Sequence, residues 1–559
     1  MHTKTAVFLL ILFSLISIST KAQIHDPRAI AADPTKADGP IAPILTGLGD
    51  NHFPISTRSP ESQKFFDQGL RLTYAFNHSE ALRAFKEAAR LDPDNAMAYW
   101  GWALVLGPNI NLPMVSDVAP QAFQAAQRAL ALKDEVSDRE KAYIEALAER
   151  YTTDPSIDRA PLDLAYARGM KEVAESYPDD DDAATLYAAA LMNLTPWNYF
   201  NLDGSPRNHT DELLATLQSV IDRNPDHAGA LHYYIHVVEE HFPERGEWHA
   251  DRLRGLMPGA GHVEHMPSHI YMLIGRYQDS YEVNVLATNA DESYITQCRA
   301  QGIYPLNYYP HNIHYLSWSA MFLGRAEDAL EAAREIVLKV PDELASEGNI
   351  WALYEIFLSQ PMFVLTRFGM WDQMLSEPKP GLDSKFMTGI WHYGRGLAFL
   401  HTDRLTEARG ELATLSKLRE VMGDAERYVS ATAGETLLTI AEEILRGELA
   451  YSEGNTLEGL ARLERAIRLE DSLVYNAPPE WYFPVRHYLG AMLLDAGRPA
   501  EAEVIYAADL GVNPENGYSL LGLKRALEQQ GDAENASAVG ERFDRAWADA
   551  THKLISSRY

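Results

Sequence analysis

The chain has 559 residues, 46% of them apolar, a formal net charge of −30 and one cysteine. Acidic residues run along its whole length with no basic patch to offset them, which excludes nucleic acid and anionic membrane surfaces as partners. Cys298 alone cannot build a disulfide framework, so the fold is expected to rest on burial.

At the N-terminus Lys4 precedes an apolar run from Ala6 to Ile18, followed by Ser19, Thr20, Lys21 and Ala22. Residues 1–22 read as a secretory signal peptide cleaved before Gln23, because the apolar core is short and small residues flank the cleavage point. No cysteine follows that point, so no lipid anchor is expected. No later stretch approaches the ~20 uninterrupted apolar residues of a membrane helix. A soluble mature chain, periplasmic or secreted, is the expectation. Residues 23–60 are rich in Pro, Gly and polar side chains and read as an extended leader.

From Glu61 onward apolar residues recur at three- and four-residue intervals between short breaks containing Gly, Asp or Pro, the pattern of successive amphipathic helices. The helices repeat. Gly69 is followed by Ala81, Phe85, Ala88 and Pro93, and the offsets return as Gly490, Ala502, Tyr506 and Pro514. Looser copies are Gly396, Ala408 and Leu412, and Gly447, Gly459, Leu463 and Ala466; Gly275, Gly324 and Gly497 open breaks that read as turns within a helix pair.

This pattern resembles the tetratricopeptide repeat (TPR), which implies an all-α solenoid, a superhelix of antiparallel helix pairs. It implies also a concave groove, lined by the first helix of each pair, that takes a peptide, protein or small-molecule ligand. The resemblance covers residues 61–340, where the groove would be His-rich, and 381–550 as C-terminal repeats. Residues 341–380 read as an irregular helical connection, and Leu106 to Ser137 as a long insertion. The blocks AMAYWGWAL, HYYIHVVE, GHVEHMPSHIYMLIGRY, YYPHNIHYL and PPEWYFPVRHYLGAMLL are similar to a group of large exported bacterial TPR proteins, which implies fold and export but no reaction.

Ten of the 19 histidines lie between His227 and His314. With first helices starting near Ala228, Gly261 and Pro310, His232 and His236 take the fifth and ninth positions of one helix. His262, His265 and His269 take the second, fifth and ninth of the next, and His311 and His314 the second and fifth of the third. Residues spaced by three and four share a helix face, so seven histidines are expected on one patch of the groove, with Glu239 and Glu240 one turn further on.

Packed neutral imidazoles gain nothing from one another and would repel if protonated, whereas a transition metal makes their convergence favourable. Copper, zinc or iron, one ion or two, fits a nitrogen-rich set; calcium and magnesium do not. Two copper ions each held by three histidines would suit oxygen chemistry. A zinc or iron pair with Glu239 or Glu240 as base would suit hydrolysis. The alternative is a metal-free scaffold that binds protein or peptide. The chain lacks HExxH, a GxSxG elbow, a phosphate-binding glycine loop and a closed Cys–His zinc set. His487 has no second His beside it and reads as a packed aromatic; His52 and His78 are isolated in sequence, though a leader folding back would carry His52 to the patch. Trp197, Tyr199, Phe200, Tyr304, Tyr308, Tyr309 and Trp318 read as packing between repeats or as walls of a pocket.

Overall fold

A computed structural model describes residues 25–154, 157–340, 350–381, 384–422, 428–429 and 432–559. The segment read as a signal peptide and residues 341–349 of the expected connection lie outside the described residues. The described chain is helical almost throughout, from Pro60–Tyr74 paired with His78–Leu91 to Gly517–Gln530 paired with Ala533–Ala546. Tyr428–Val429 and Thr432–Ala433 form one small antiparallel pairing. Within Leu106 to Ser137, the expected insertion is a loop followed by a second helix, Ala119–Ala131. Short helices Ile350–Leu358, Gln360–Arg367 and Trp371–Ser376 make up much of the irregular region after residue 349.

Local chemistry sets the helix ends. Four connectors, Asp92-Pro93-Asp94-Asn95, Tyr177-Pro178-Asp179-Asp180, Asn224-Pro225-Asp226-His227 and Asn513-Pro514-Glu515-Asn516, share one design. Proline prevents the preceding helix from continuing. The fourth residue then caps the next helix, accepting from the backbone N–H of Ala98, Ala183, Ala230 or Ser519.

Turns within pairs are equally regular. Gly275, Gly324, Gly369, Gly454, Gly497 and Gly531 are all left-handed. Each is followed by an N–H that bonds five residues back, as in Arg276 to Tyr271, Arg325 to Ala320 and Arg498 to Leu493. The first pair closes with the same bond, Asn77 to Leu72, but its left-handed residue is Phe76, at φ 54°.

The repeat offsets have a packing cause. Phe85 fills the space above both Gly69 and Gly101, and Tyr506 fills that above Gly490 and Gly522, so one large ring from a second helix seats on two glycines of flanking first helices.

Two compact units divide the chain: Ala22–Ile270 with Val283–Asn312, and Tyr271–Glu282 with Ile313–Tyr559. In the first, the leader is docked. Backbone N–H groups of Ile41, Leu45, Phe53 and Ser56 donate to Glu87, Gln68, Asp67 and Glu140. The buried Lys86 ammonium, pushed down to about 7 by desolvation, donates to the carbonyls of Ala29, Ile30 and Ala32. In the second, the last residues are clasped: Ser557 Oγ donates to the His487 carbonyl, Arg367 donates to the Ser557 carbonyl, and Arg558 pairs with Glu448. No described helix is long and apolar enough to cross a membrane.

A Cβ added at Gly69 would lie 2.6 Å from the Phe85 ring. Gly69→Ala is therefore expected to cost roughly 1–3 kcal/mol in urea unfolding, and adding Phe85→Leu should recover part of that loss.

Candidate metal centre

Helix Ala228–Val238 is buried along its whole length and presents His232 and His236 one turn apart, with ring centroids at 4.8 Å. Beside it, helix Gly261–His265 carries His262 and His265. Pro267 begins a new helix, Pro267–Leu273, which carries His269. The third segment enters through a wide turn, Tyr304–Tyr308, before Tyr309–Phe322, and this delivers His311.

These six histidines form two groups of three. In His232, His236 and His262, and again in His265, His269 and His311, one ring nitrogen from each residue lies within 4.8 Å of the others. A third combination, His236, Glu239 and His269, meets the same limit and spans the two groups. Five of the six imidazoles are at most 5% exposed; His311 is half-buried.

Hydrogen bonding fixes the tautomers. His232 Nδ1 lies 2.7 Å from the Tyr74 carbonyl oxygen, which only accepts, so Nδ1 carries the proton. His236 Nδ1 donates in the same way to Glu239 Oε1 at 2.8 Å, His269 Nδ1 to Glu239 Oε2, and His265 Nδ1 to Asn284 Oδ1 at 2.6 Å. Each of these four rings therefore carries its lone pair on Nε2. Those of His232 and His236 meet no hydrogen-bond partner, nor do the two ring nitrogens of His262. The Nε2 atoms of His265 and His269 face each other at 2.9 Å, two lone pairs that repel unless a proton or a metal cation lies between them. Burial, reinforced by neighbouring imidazoles, holds His232, His262 and His265 well below the ordinary histidine range. Burial lowers His236 as well.

Glu239 is fully buried at the end of its helix. Burial alone would raise its pKa, but His269 and His236 outweigh that and hold the carboxyl below the usual range. Both oxygens accept from ligand-type histidines, one in each group, so Glu239 orients the rings and is poorly disposed to act as a base. Glu240 lies outside the three groups; partial burial and the charge of Glu239 push it up to about 7 against the opposing charge of Arg207.

His314 is not in this arrangement. It falls in the second compact unit, where its ring packs against Phe357 at 5.5 Å and Tyr482 at 5.1 Å. Three residues along a helix is a rise of about 4.5 Å as well as a partial rotation, so sharing a face with His311 does not put both rings at one point. His52 bonds Asp67 in the docked leader, and His487 is held between Asp509 and Arg367. Sequence spacing missed Tyr74, Asn284 and Phe76, while Trp197, read as packing or a pocket wall, lies beside His236. The two aromatic rings lie 5.8 Å and 5.1 Å from that of His236, and Trp197 donates its indole N–H to the Ile110 carbonyl in the loop after Leu106.

No protein-family profile matches the chain, and no curated protein sequence matches it. Among solved structures it is similar to the human IFIT1 dimer with m7Gppp-AAAA, at 12% identity over 89% of this chain and 92% of that one, with a TM-score of 0.30. Yeast Tom70 aligns at 10% identity over 87% and 92%, TM-score 0.27, and the P58(IPK) TPR domain at 13% over 85% and 99%, TM-score 0.21.

Gly261 starts the helix that carries His262, and a side chain there would fall on the Asp291 carboxylate. Asp291 cannot yield easily, since it is fully buried and accepts from Tyr304 Oη and Asn312 Nδ2. Gly261→Ala is expected to lower stability by roughly 1–3 kcal/mol, which differential scanning calorimetry checks.

Proposed function

We infer that the chain is an exported TPR-like solenoid that holds two transition-metal ions in an all-imidazole centre, one on each group of three histidines. The observation that carries this reading is the orientation of the ring protons: four Nδ1–H groups donate to Tyr74, Asn284 and the two oxygens of Glu239, which turns four Nε2 lone pairs to the metals. Export rests on the N-terminal apolar run and the similarity to exported bacterial TPR proteins.

Charge favours copper. Imidazole suits zinc, copper, iron and nickel alike. Six neutral ligands and one buried carboxylate offset little of the charge of two divalent ions, whereas two copper(I) ions bring half that charge into a site that water barely reaches. Dioxygen is the matching substrate class. Held by His232, His236 and His262 and by His265, His269 and His311, two copper(I) ions would together supply the two electrons that reduction of dioxygen needs. A hydrolytic zinc or iron pair would need a free base, and Glu239 is engaged on both sides.

Untagged full-length protein loaded with copper under reducing conditions should retain close to two ions per chain by elemental analysis. His262→Ala and His265→Ala should each lose about one, His314→Ala none, and Glu239→Gln should weaken binding by about 10–100-fold. Wild-type protein that retains no copper, zinc or iron would overturn the assignment and leave a groove for protein or peptide. Cell fractionation with and without residues 1–22 tests export.

A further inference from the structure

Among the described residues, nine turns close with the same bond to the residue five back, and the left-handed position before it is Gly in six, Asp403 in one, Arg299 in one and Phe76 in one. Glycine enters that region without penalty, while a large side chain there costs about 1–2 kcal/mol. The fold accepts glycine at this turn repeatedly, so the turn itself does not require Phe. What the Phe76 ring does is cover the first group of histidines: it lies 4.6 Å from His232, and is stacked on His236 at 5.8 Å and on His262 at 5.5 Å. Strain of this kind concentrates where a side chain has a task.

Phe76 also lines two cavities. One, of about 40 Å³, is lined also by Leu104, Ile110 and Tyr233; the other, of about 20 Å³, also by His25, Leu112 and Tyr304. At roughly 10–15 Å³ for each water, the larger holds about three waters, or one molecule of similar size. Phe76 is thus the shared partition between these cavities and three ligand-type histidines.

We propose that Phe76 is the size-selecting gate to the histidine centre, and that it restricts the substrate class to molecules of two or three non-hydrogen atoms, such as dioxygen or hydrogen peroxide. The substrate class rests on the metal-centre reading above; the gate itself is a statement about access and can be tested on metal-free protein.

Diethyl pyrocarbonate, a bulky reagent for neutral imidazole, is the probe, with site-by-site mass spectrometry after chelation. His232 and His262 should react slowly in the wild type and at least ten-fold faster in Phe76→Gly, while Phe76→Leu, which keeps the partition, should stay near the wild-type rate. Circular dichroism and the melting temperature establish that each variant is folded; if Phe76→Gly is not, Phe76→Ala replaces it. Unchanged reactivity of His232 and His262 in a folded Gly or Ala variant overturns the gate, even if both proteins hold two copper ions. Accelerated labelling in a chain that binds no metal upholds the gate and removes the metal reading.

Discussion

A single buried carboxylate organises the centre. Glu239 receives the Nδ1–H of His236 through one oxygen and that of His269 through the other, and these two rings belong to different groups of three. A desolvated carboxylate is tolerable only when such bonds are made, so the same two bonds that stabilise Glu239 also fix the tautomer and the direction of one ring in each group.

Around that pair the scaffold works as a set of rigid supports. The Tyr74 carbonyl, which sets the tautomer of His232, belongs to the same turn that holds Phe76 against the cluster, so ring orientation and ring coverage come from one short segment. Asp291 sits against Gly261 and is itself held by Tyr304 and Asn312, which ties the start of the His262 helix to the segment that carries His311. The loop after Leu106 joins in through Ile110 and Trp197.

Much of this was legible in residue spacing. The glycine and aromatic offsets at Gly69, Phe85, Gly490 and Tyr506 describe one ring packed between helices, and the structure shows that contact. The starts assigned to the three histidine-bearing helices lie within a residue of those observed, because Pro, Gly and capping residues mark them chemically. Helical periodicity also grouped the six histidines that converge. It overreached at His314, since periodicity gives the angle around a helix axis and not the distance along it, and it had no means of assigning Glu239 its two partners.

The sequence by itself therefore determined the all-α repeat, the turn chemistry and a shared face for most of the histidines, since these follow from backbone geometry and the spacing of side chains along one helix. Tertiary structure decided which nitrogens converge, which protons point away, and what covers the site. Those depend on contacts between residues far apart in the chain: Tyr74 with His232, Glu239 with His269, His265 with Asn284, and Phe76 with His262. No local pattern encodes them, because each partner is placed by a different helix and only packing brings the two together.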